Sequence, residues 1–280
     1  MVSKSMVLAV LGGCAAVALM ERQPKTWPVV PKRLLTDFDV YVINLDSATA
    51  RLDNFRREVA ASDLATKSFI RVAGVEGSSL DTASLLTKRA RTELAQAEST
   101  GFRLRHYQLS RGAVGCYMSH VKLWKSVLAT DKDVALIFED DAQLEPSLYR
   151  YVRETPMPTD FDIILLGYVC FKCSRDEGAG FHRVKRFFGL HGYLISAKGI
   201  RKILESPRLF PVGKQIDAVL SDMAAKGELT VYASPRKMVE QANELFRTQI
   251  QIPIKDGVDP VAALRNIPET AETAETANVP

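Results

Sequence analysis

Residues 134–141 read VALIFEDD, an apolar run that leads directly into three consecutive carboxylates. A short run of this kind, without polar alternation, predicts a strand that is buried on both faces of a mostly parallel sheet. Glu139, Asp140 and Asp141 then lie where the strand leaves the sheet. Because ligands of open α/β sheets bind outside the carboxyl ends of the strands, the triplet is the first candidate site.

Apolar runs alternate with helical patterns on both sides of this strand, which predicts an α/β fold. The helix predicted at 112–129 has an apolar stripe of Val114, Tyr117, Met118, Val121, Trp124 and Leu128, which we expect to face the core. The predicted strands are 39–45, 68–75, 134–138, 162–166, 193–196 and 229–233, and the predicted helices are 49–60, 82–98, 112–129, 198–205 and 216–225.

The two ends of the chain differ from the middle. Lys4 precedes an uncharged apolar stretch, so residues 1–20 are predicted to be a signal peptide or a short signal anchor, with a buried helix as the alternative. Three prolines mark 21–36 as a stem or linker, and residues 256–280, with repeated Glu-Thr-Ala, are predicted to be a disordered tail. Residues 37–255 remain as the folded domain.

This organisation predicts a location in the lumen of the secretory pathway, the endoplasmic reticulum or the Golgi. The protein would be soluble there if the segment is a cleaved signal, or attached to the membrane through its N-terminal segment if the segment is a signal anchor. The net charge is +4 and the basic residues are scattered, so we expect no nucleic-acid partner.

The cysteines do not form a complete zinc-binding motif. Cys170 and Cys173 have the spacing of half a zinc knuckle, but no second half follows. A disulfide and free thiols both remain open for this pair.

The chemistry of the triplet favours a cation. Adjacent carboxylates repel one another unless a cation or a proton relieves the repulsion, and ligands made only of oxygen suit Mg²⁺ or Mn²⁺. A solvated acidic turn, or a helix N-cap, is the alternative that the position alone leaves open.

Several stretches resemble glycosyltransferase family 25, which includes lipooligosaccharide galactosyltransferases of bacteria and collagen galactosyltransferases of animals. The resemblance implies a GT-A fold, a UDP-sugar donor that is most commonly UDP-galactose, a divalent metal at the triplet and inversion at the anomeric carbon. Two positions depart from the family pattern, Glu76 in place of Asp and Ala113 in place of an acidic residue. The matching stretches are 42–46 (VINLD) with Arg51, 69–77 (FIRVAGVEG), 112–120 (GAVGCYMSH) with Leu123 and Trp124, 135–141 (ALIFEDD) and, more weakly, 192–199 (GYLISAKG) and 216–220 (IDAVL).

The resemblance also implies roles for single residues. Asp140 and Asp141 would bind Mn²⁺ or Mg²⁺, and Arg51 would pair with the donor diphosphate. The alternative for Arg51 is a surface pair with Glu58. Ser119, His120 and Glu139 are predicted to bind the donor, although a histidine of this kind is often a hydrogen-bonded residue at the edge of the core.

Asp217 resembles the acidic residue of the family's late motif. An inverting transfer needs a base that accepts the proton of the acceptor hydroxyl, and Asp217 is our candidate, with Asp222 as the competing acid. The alternative for Asp217 is an exposed carboxylate that the helix dipole stabilises.

These observations predict an inverting hexosyltransferase that moves a sugar, with galactose expected, to a hydroxyl of a glycan or of a hydroxylated peptide in a glycoprotein acceptor. A non-catalytic relative with an adhesion or binding role is the alternative, and loss of the triplet would mark it. This chain retains the triplet. A two-metal phosphohydrolase is disfavoured because the chain has only 4 histidines.

Overall fold

The structure, a computed structural model, describes residues 31–101, 103, 108–169, 180–242 and 245. Short 3₁₀ turns lie at Asp63–Thr66 and Gly77–Ser79. The strands are β1 (Lys32–Arg33), β2 (Asp39–Asn44), β3 (Ile70–Ala73), β4 (Val134–Glu139), β5 (Ala142–Leu144), β6 (Met157–Pro158), β7 (Ile163–Val169), β8 (His182–Arg183), β9 (Phe188–Ser196), β10 (Val231–Ala233) and β11 (Val239–Gln241). The helices are α1 (Thr49–Ala60), α2 (Thr82–Leu85), α3 (Lys88–Thr100), α4 (Arg111–Leu128), α5 (Leu148–Glu154), α6 (Ala197–Leu204) and α7 (Ile216–Ala225).

A seven-stranded sheet with the order β3-β2-β4-β9-β7-β10-β8 forms the centre of the fold. β2 pairs in parallel with both β3 and β4, and β10 pairs in parallel with β7. β9 runs antiparallel to its neighbours β4 and β7, and β8 runs antiparallel to β10. The predicted α/β class with a mostly parallel central sheet is therefore confirmed, while β8 and β9 run against the other strands.

Both faces of the sheet are covered, which explains the unbroken apolar runs. Along β4, Ala135 and Ile137 pack in one core cluster with α3, α4, α6 and α7. The alternate residues Val134, Leu136 and Phe138 pack in a second cluster with α1 and α5. The apolar stripe of α4 lies in the first cluster, as predicted, with Met118 and Leu128 partly buried.

The prediction of a single helix at 82–98 is wrong, because the chain forms two helices there, α2 and α3. Leu86 pairs with Val212 in an isolated bridge, and the Thr87 amide donates a hydrogen bond to the Val212 carbonyl at 3.0 Å. The Thr87 hydroxyl then caps α3 by accepting from the Ala90 amide at 3.1 Å. A tertiary contact and a local cap thus interrupt a continuous helical pattern.

Residues 31–36, which we assigned to the stem, pack on the sheet. Lys32 and Arg33 pair antiparallel with β6, and Leu35 is 3% exposed within the same core cluster as Phe38. The assignments of 1–20 and 256–280, most of the stem, and the Cys170 and Cys173 pair lie outside the described residues. Within the described ranges, no helix has both the length and the apolar character needed to cross a membrane.

Leu35→Ala should lower the free energy of unfolding by about 2–4 kcal/mol, because it leaves a cavity in the core cluster that also contains Phe38. The neighbouring Leu34 is 51% exposed, so Leu34→Ala should change stability by no more than about 0.5 kcal/mol. Urea unfolding of both variants measures the difference. Equal stabilities would show that residues 31–36 are not part of the folded unit.

Candidate active site

The carboxyl ends of two parallel strands bring the first polar residues together. β2 pairs with β4 so that Ile43 lies opposite Glu139. Asn44, the next residue of β2, therefore lies near Asp140, which follows the end of β4. Asn44 Nδ2 donates a hydrogen bond to Asp140 Oδ2 at 2.7 Å, and both side chains are buried. The carboxyl ends of β2 and β4 therefore hold the first contact of the candidate site.

Arg51 of α1 bridges the two aspartates. Its Nε lies 2.6 Å from Asp140 Oδ1 and its Nη2 lies 2.8 Å from Asp141 Oδ2. The arginine is buried, with 9% of its surface exposed, so these ion pairs are shielded from solvent. The alternative of a surface arginine paired with Glu58 does not describe this residue, since the Glu58 carboxylate accepts instead from the Leu144 amide.

Burial makes the charges of both aspartates costly. It raises the pKa of Asp140, and with the charge of Glu139 it raises the pKa of Asp141 to about 7, despite the opposing effect of Arg51. Asp141 Oδ1 is buried without a hydrogen-bond partner among the described residues. An unsatisfied carboxylate oxygen beside a second carboxylate fits a hard divalent cation.

Glu139 points to the opposite side of the sheet, toward α4. Its Oε1 lies 3.2 Å from His120 Nε2, and His120 Nδ1 lies 2.9 Å from the Tyr193 hydroxyl, which accepts from Trp124 Nε1 at 3.0 Å. A carboxylate only accepts, so Nε2 carries the proton and Nδ1 accepts from Tyr193. His120 is fully buried, and this chain of hydrogen bonds fixes the position of Glu139.

Cys116, one turn before His120, lies against the same carboxylate, with its Sγ 3.8 Å from Glu139 Oε1. Burial raises the pKa of the thiol well above its ordinary value, and the charges of Glu139, Asp217 and Asp141 raise it further. These three carboxylates therefore all lie within electrostatic range of one sulfur atom.

Asp217 lies in the first turn of α7. Its carboxylate accepts hydrogen bonds from the Gly189 amide at 3.0 Å and from the Ala218 amide at 2.7 Å. The competing Asp222 is held by Arg186, at 2.6 Å, and by Lys214. Although burial raises the pKa of Asp222, these two cations outweigh it and lower the pKa.

Ser119 joins α4 to the loop after β3. Its hydroxyl accepts from the Val75 amide at 2.8 Å and donates to the Gly115 carbonyl at 2.7 Å. A Cβ at Gly77 would lie 1.8 Å from the Arg111 carbonyl oxygen, and one at Gly115 would lie 2.5 Å from the Val75 oxygen. The motif glycines thus allow the loop and the helix backbone to touch. A role of Ser119 in donor binding stays a prediction.

Sequence reasoning missed three residues that complete the site. Asn44 binds Asp140, Tyr193 orients His120, and Arg71 Nε donates to Asn44 Oδ1 at 2.9 Å. The position of Asn44 at the end of a strand next to β4 was a usable signal. No local pattern marks Tyr193, because it lies within a strand that reads as core.

Comparison with known proteins identifies the family of this chain. The sequence profile described as glycosyltransferase family 25 (LPS biosynthesis protein) matches residues 38–220. Procollagen galactosyltransferase 1-B of Xenopus laevis is 25% identical over 75% of this chain and 35% of its own length. Procollagen galactosyltransferase 2 of Mus musculus is 25% identical over 73% of this chain and 33% of its own length. The chain therefore spans about a third of the length of these relatives.

A crystal structure of the galactosyltransferase LgtC, in complex with donor and acceptor sugar analogs, covers 70% of this chain and 73% of its own. It is 14% identical with a TM-score of 0.38, a likeness too low to carry an argument. The profile match covers most of the described sheet, both β2 and β4, and the whole acidic triplet. The chain belongs to glycosyltransferase family 25.

Proposed function

We propose that this chain is an inverting, metal-dependent glycosyltransferase that moves galactose from UDP-galactose to a hydroxyl of a glycan or of a hydroxylated peptide. It would act in the lumen of the secretory pathway, as the N-terminal apolar segment indicates. Family membership and the names of the relatives support sugar transfer. The donor, the stereochemistry, the acceptor and the location are parts of the proposal.

The observation that carries the proposal is the pair Asp140 and Asp141 at the carboxyl end of β4. The side chains of Asp140 and Asp141 are 6% and 13% exposed, and both are bound to Arg51. The buried Asp141 Oδ1 lacks a hydrogen-bond partner among the described residues. A structural ion pair does not need a second carboxylate with an unused oxygen. A site that receives a cation and a diphosphate does.

Asp140 and Asp141 would hold Mn²⁺ or Mg²⁺, which when bound supplies positive charge against the diphosphate of the departing nucleotide. Arg51 is the neighbouring cation. Its guanidinium has several donors, so it can pair with a phosphate oxygen while it keeps one carboxylate contact. Glu139, held by His120, would accept a hydrogen bond from a hydroxyl of the donor.

Asp217 would act as the base. The acceptor oxygen forms a bond to the anomeric carbon as the bond from that carbon to the diphosphate oxygen breaks, and the electron pair leaves with UDP. The hydroxyl proton of the acceptor passes to the Asp217 carboxylate. The amides of Gly189 and Ala218 hold this carboxylate in place.

The first test is a panel of nucleotide sugars, with binding and slow hydrolysis measured in Mn²⁺ and in EDTA. We expect the protein to bind and slowly hydrolyse UDP-galactose in Mn²⁺ but not in EDTA. Asp140→Asn and Asp141→Asn should each lose the response and still melt in EDTA at or above the temperature of the parent, because each change removes buried charge repulsion. A panel with no metal-dependent response would favour the non-catalytic alternative.

Replacing Arg51 should change two affinities in opposite directions. Arg51→Gln should weaken UDP binding in the presence of Mn²⁺ by about tenfold or more, because a charge-assisted contact to phosphate is lost. It should also tighten Mn²⁺ binding, because a competing cation leaves the aspartates. Isothermal titration calorimetry measures both quantities.

The matched control is Arg56→Gln on the exposed side of α1, where Arg56 pairs with Asp53 at the surface. Both affinities should stay unchanged in this variant. If Arg51→Gln binds UDP and Mn²⁺ like the parent, Arg51 has only a structural role.

Asp217→Asn should lower turnover by at least ~100-fold while donor affinity stays nearly constant, because a base acts mainly in the transition state. Single-turnover rates and UDP-galactose titrations separate the two effects. Asp222→Asn on the same helix is the control and should retain most of the activity. A proportional loss of donor binding in Asp217→Asn would identify a sugar ligand rather than a base.

A further inference from the structure

A second group of ligand atoms lies beside the aspartates, on the α4 side of the sheet. Cys116 and His120 are four residues apart on α4, so their side chains lie on one face of the helix, and that face meets Glu139 at the end of β4. The thiol, the imidazole and the carboxylate each offer one ligand atom, and the three atoms lie within 4.8 Å of one another.

Two of the three distances between the ligand atoms are close to those of a tetrahedral metal centre. Zinc binds nitrogen and oxygen at roughly 2.0–2.2 Å and sulfur at about 2.3 Å, so neighbouring ligand atoms of a tetrahedron are about 3.3–3.6 Å apart. Glu139 Oε1 lies 3.2 Å from His120 Nε2 and 3.8 Å from Cys116 Sγ. The protein therefore holds these atoms near ligand spacing without a large rearrangement.

The hydrogen bonding around His120 resembles that of a metal-binding histidine. Metal-bound histidines use the second ring nitrogen in a hydrogen bond that fixes the ring, and His120 Nδ1 contacts the Tyr193 hydroxyl at 2.9 Å. That hydroxyl accepts as well as donates, so the same contact can hold the tautomer with a proton on Nδ1, which frees Nε2 for a metal. Trp124 Nε1 in turn donates a hydrogen bond to the Tyr193 hydroxyl at 3.0 Å.

The backbone of α4 is also held in place at this point. Gly115 packs directly on the loop at Val75 and Gly77, and Ser119 bonds to the same loop. Both contacts flank Cys116 in the sequence. The spacing of the two helical ligands thus depends on a rigid part of the chain, as selective metal sites require.

The ligand types separate this group from the aspartates. Asp140 and Asp141 offer only oxygen, which suits Mn²⁺ or Mg²⁺, whereas a thiolate and an imidazole favour borderline ions such as Zn²⁺ or Co²⁺. We propose that Cys116, His120 and Glu139 bind one divalent ion of the zinc class, at a site distinct from the oxygen site of Asp140 and Asp141. The fourth position would be open to water or a ligand, since three protein ligands are present.

Cobalt substitution tests the proposal directly. The full chain, freed of metal with EDTA and kept reduced, is titrated with Co²⁺ and followed by absorption spectroscopy. We expect one equivalent to give the visible bands of tetrahedral Co²⁺ and a near-ultraviolet band of thiolate-to-cobalt charge transfer, and both should disappear when Zn²⁺ is added. A parent protein without the charge-transfer band would overturn the proposal.

Variants locate the thiolate. Cys116→Ser should lose the charge-transfer band and bind Zn²⁺ at least ~10-fold more weakly, with an unchanged melting temperature in EDTA as the check of folding. The double variant Cys170→Ser and Cys173→Ser should retain the band. If instead Cys116→Ser keeps the band and the double variant loses it, the metal binds elsewhere.

Asp141→Asn distinguishes this site from the proposed catalytic metal site. It should keep the cobalt spectrum while it loses the response to Mn²⁺ and UDP-galactose. Loss of the spectrum in Asp141→Asn would show that the ion belongs to the aspartates, and the separate site would then be rejected.

Discussion

The guanidinium of Arg51 lies between Asp140 and Asp141 where a fully buried strand ends. Three consecutive carboxylates in such a place repel one another, and burial strengthens the repulsion because the surroundings screen charge poorly. Arg51 offsets the charge on one side, and Asn44 adds a hydrogen bond. The docking of α1 makes this possible. Phe55 of α1 packs on Phe138 of β4, with ring centroids 5.6 Å apart, and so brings the arginine to the strand end.

The alternation of a β-strand divides the triplet between two environments. Residues 135 and 137 face α4, residues 136 and 138 face α1, and Glu139 and Asp140 continue this pattern. Glu139 therefore meets His120, while Asp140 meets Arg51. Asp141 lies beyond the end of β4 and pairs with Arg51 on the α1 side. Neighbouring acidic residues thus acquire different partners. Burial alone would raise the pKa of Glu139, but the contact with His120 stabilises its charge and the pKa is lowered.

Two sets of ligands with different chemistry lie side by side as a result. The α1 side offers carboxylate oxygens and a guanidinium, a combination suited to a hard cation and a diphosphate. The α4 side offers sulfur and nitrogen with a single carboxylate. Asp217, from a third element, lies within electrostatic range of Cys116. The carboxyl end of β4 receives Arg51 of α1 from one face of the sheet and His120 of α4 from the other, so one short strand end can serve several chemical roles.

The sequence by itself determined the α/β class, most strand and helix positions, the apolar stripe of α4 and the acidic triplet at a strand end. These features are local, because periodicity and residue type within a dozen positions express them. Only the tertiary structure decided the antiparallel direction of β9, the break before α3 and the partners of the triplet. Asn44 and Asp140 lie 96 residues apart in the chain, and His120 and Tyr193 lie 73 apart. Such pairs depend on strand order, register and helix docking, which are set by how the whole core packs and not by any short stretch.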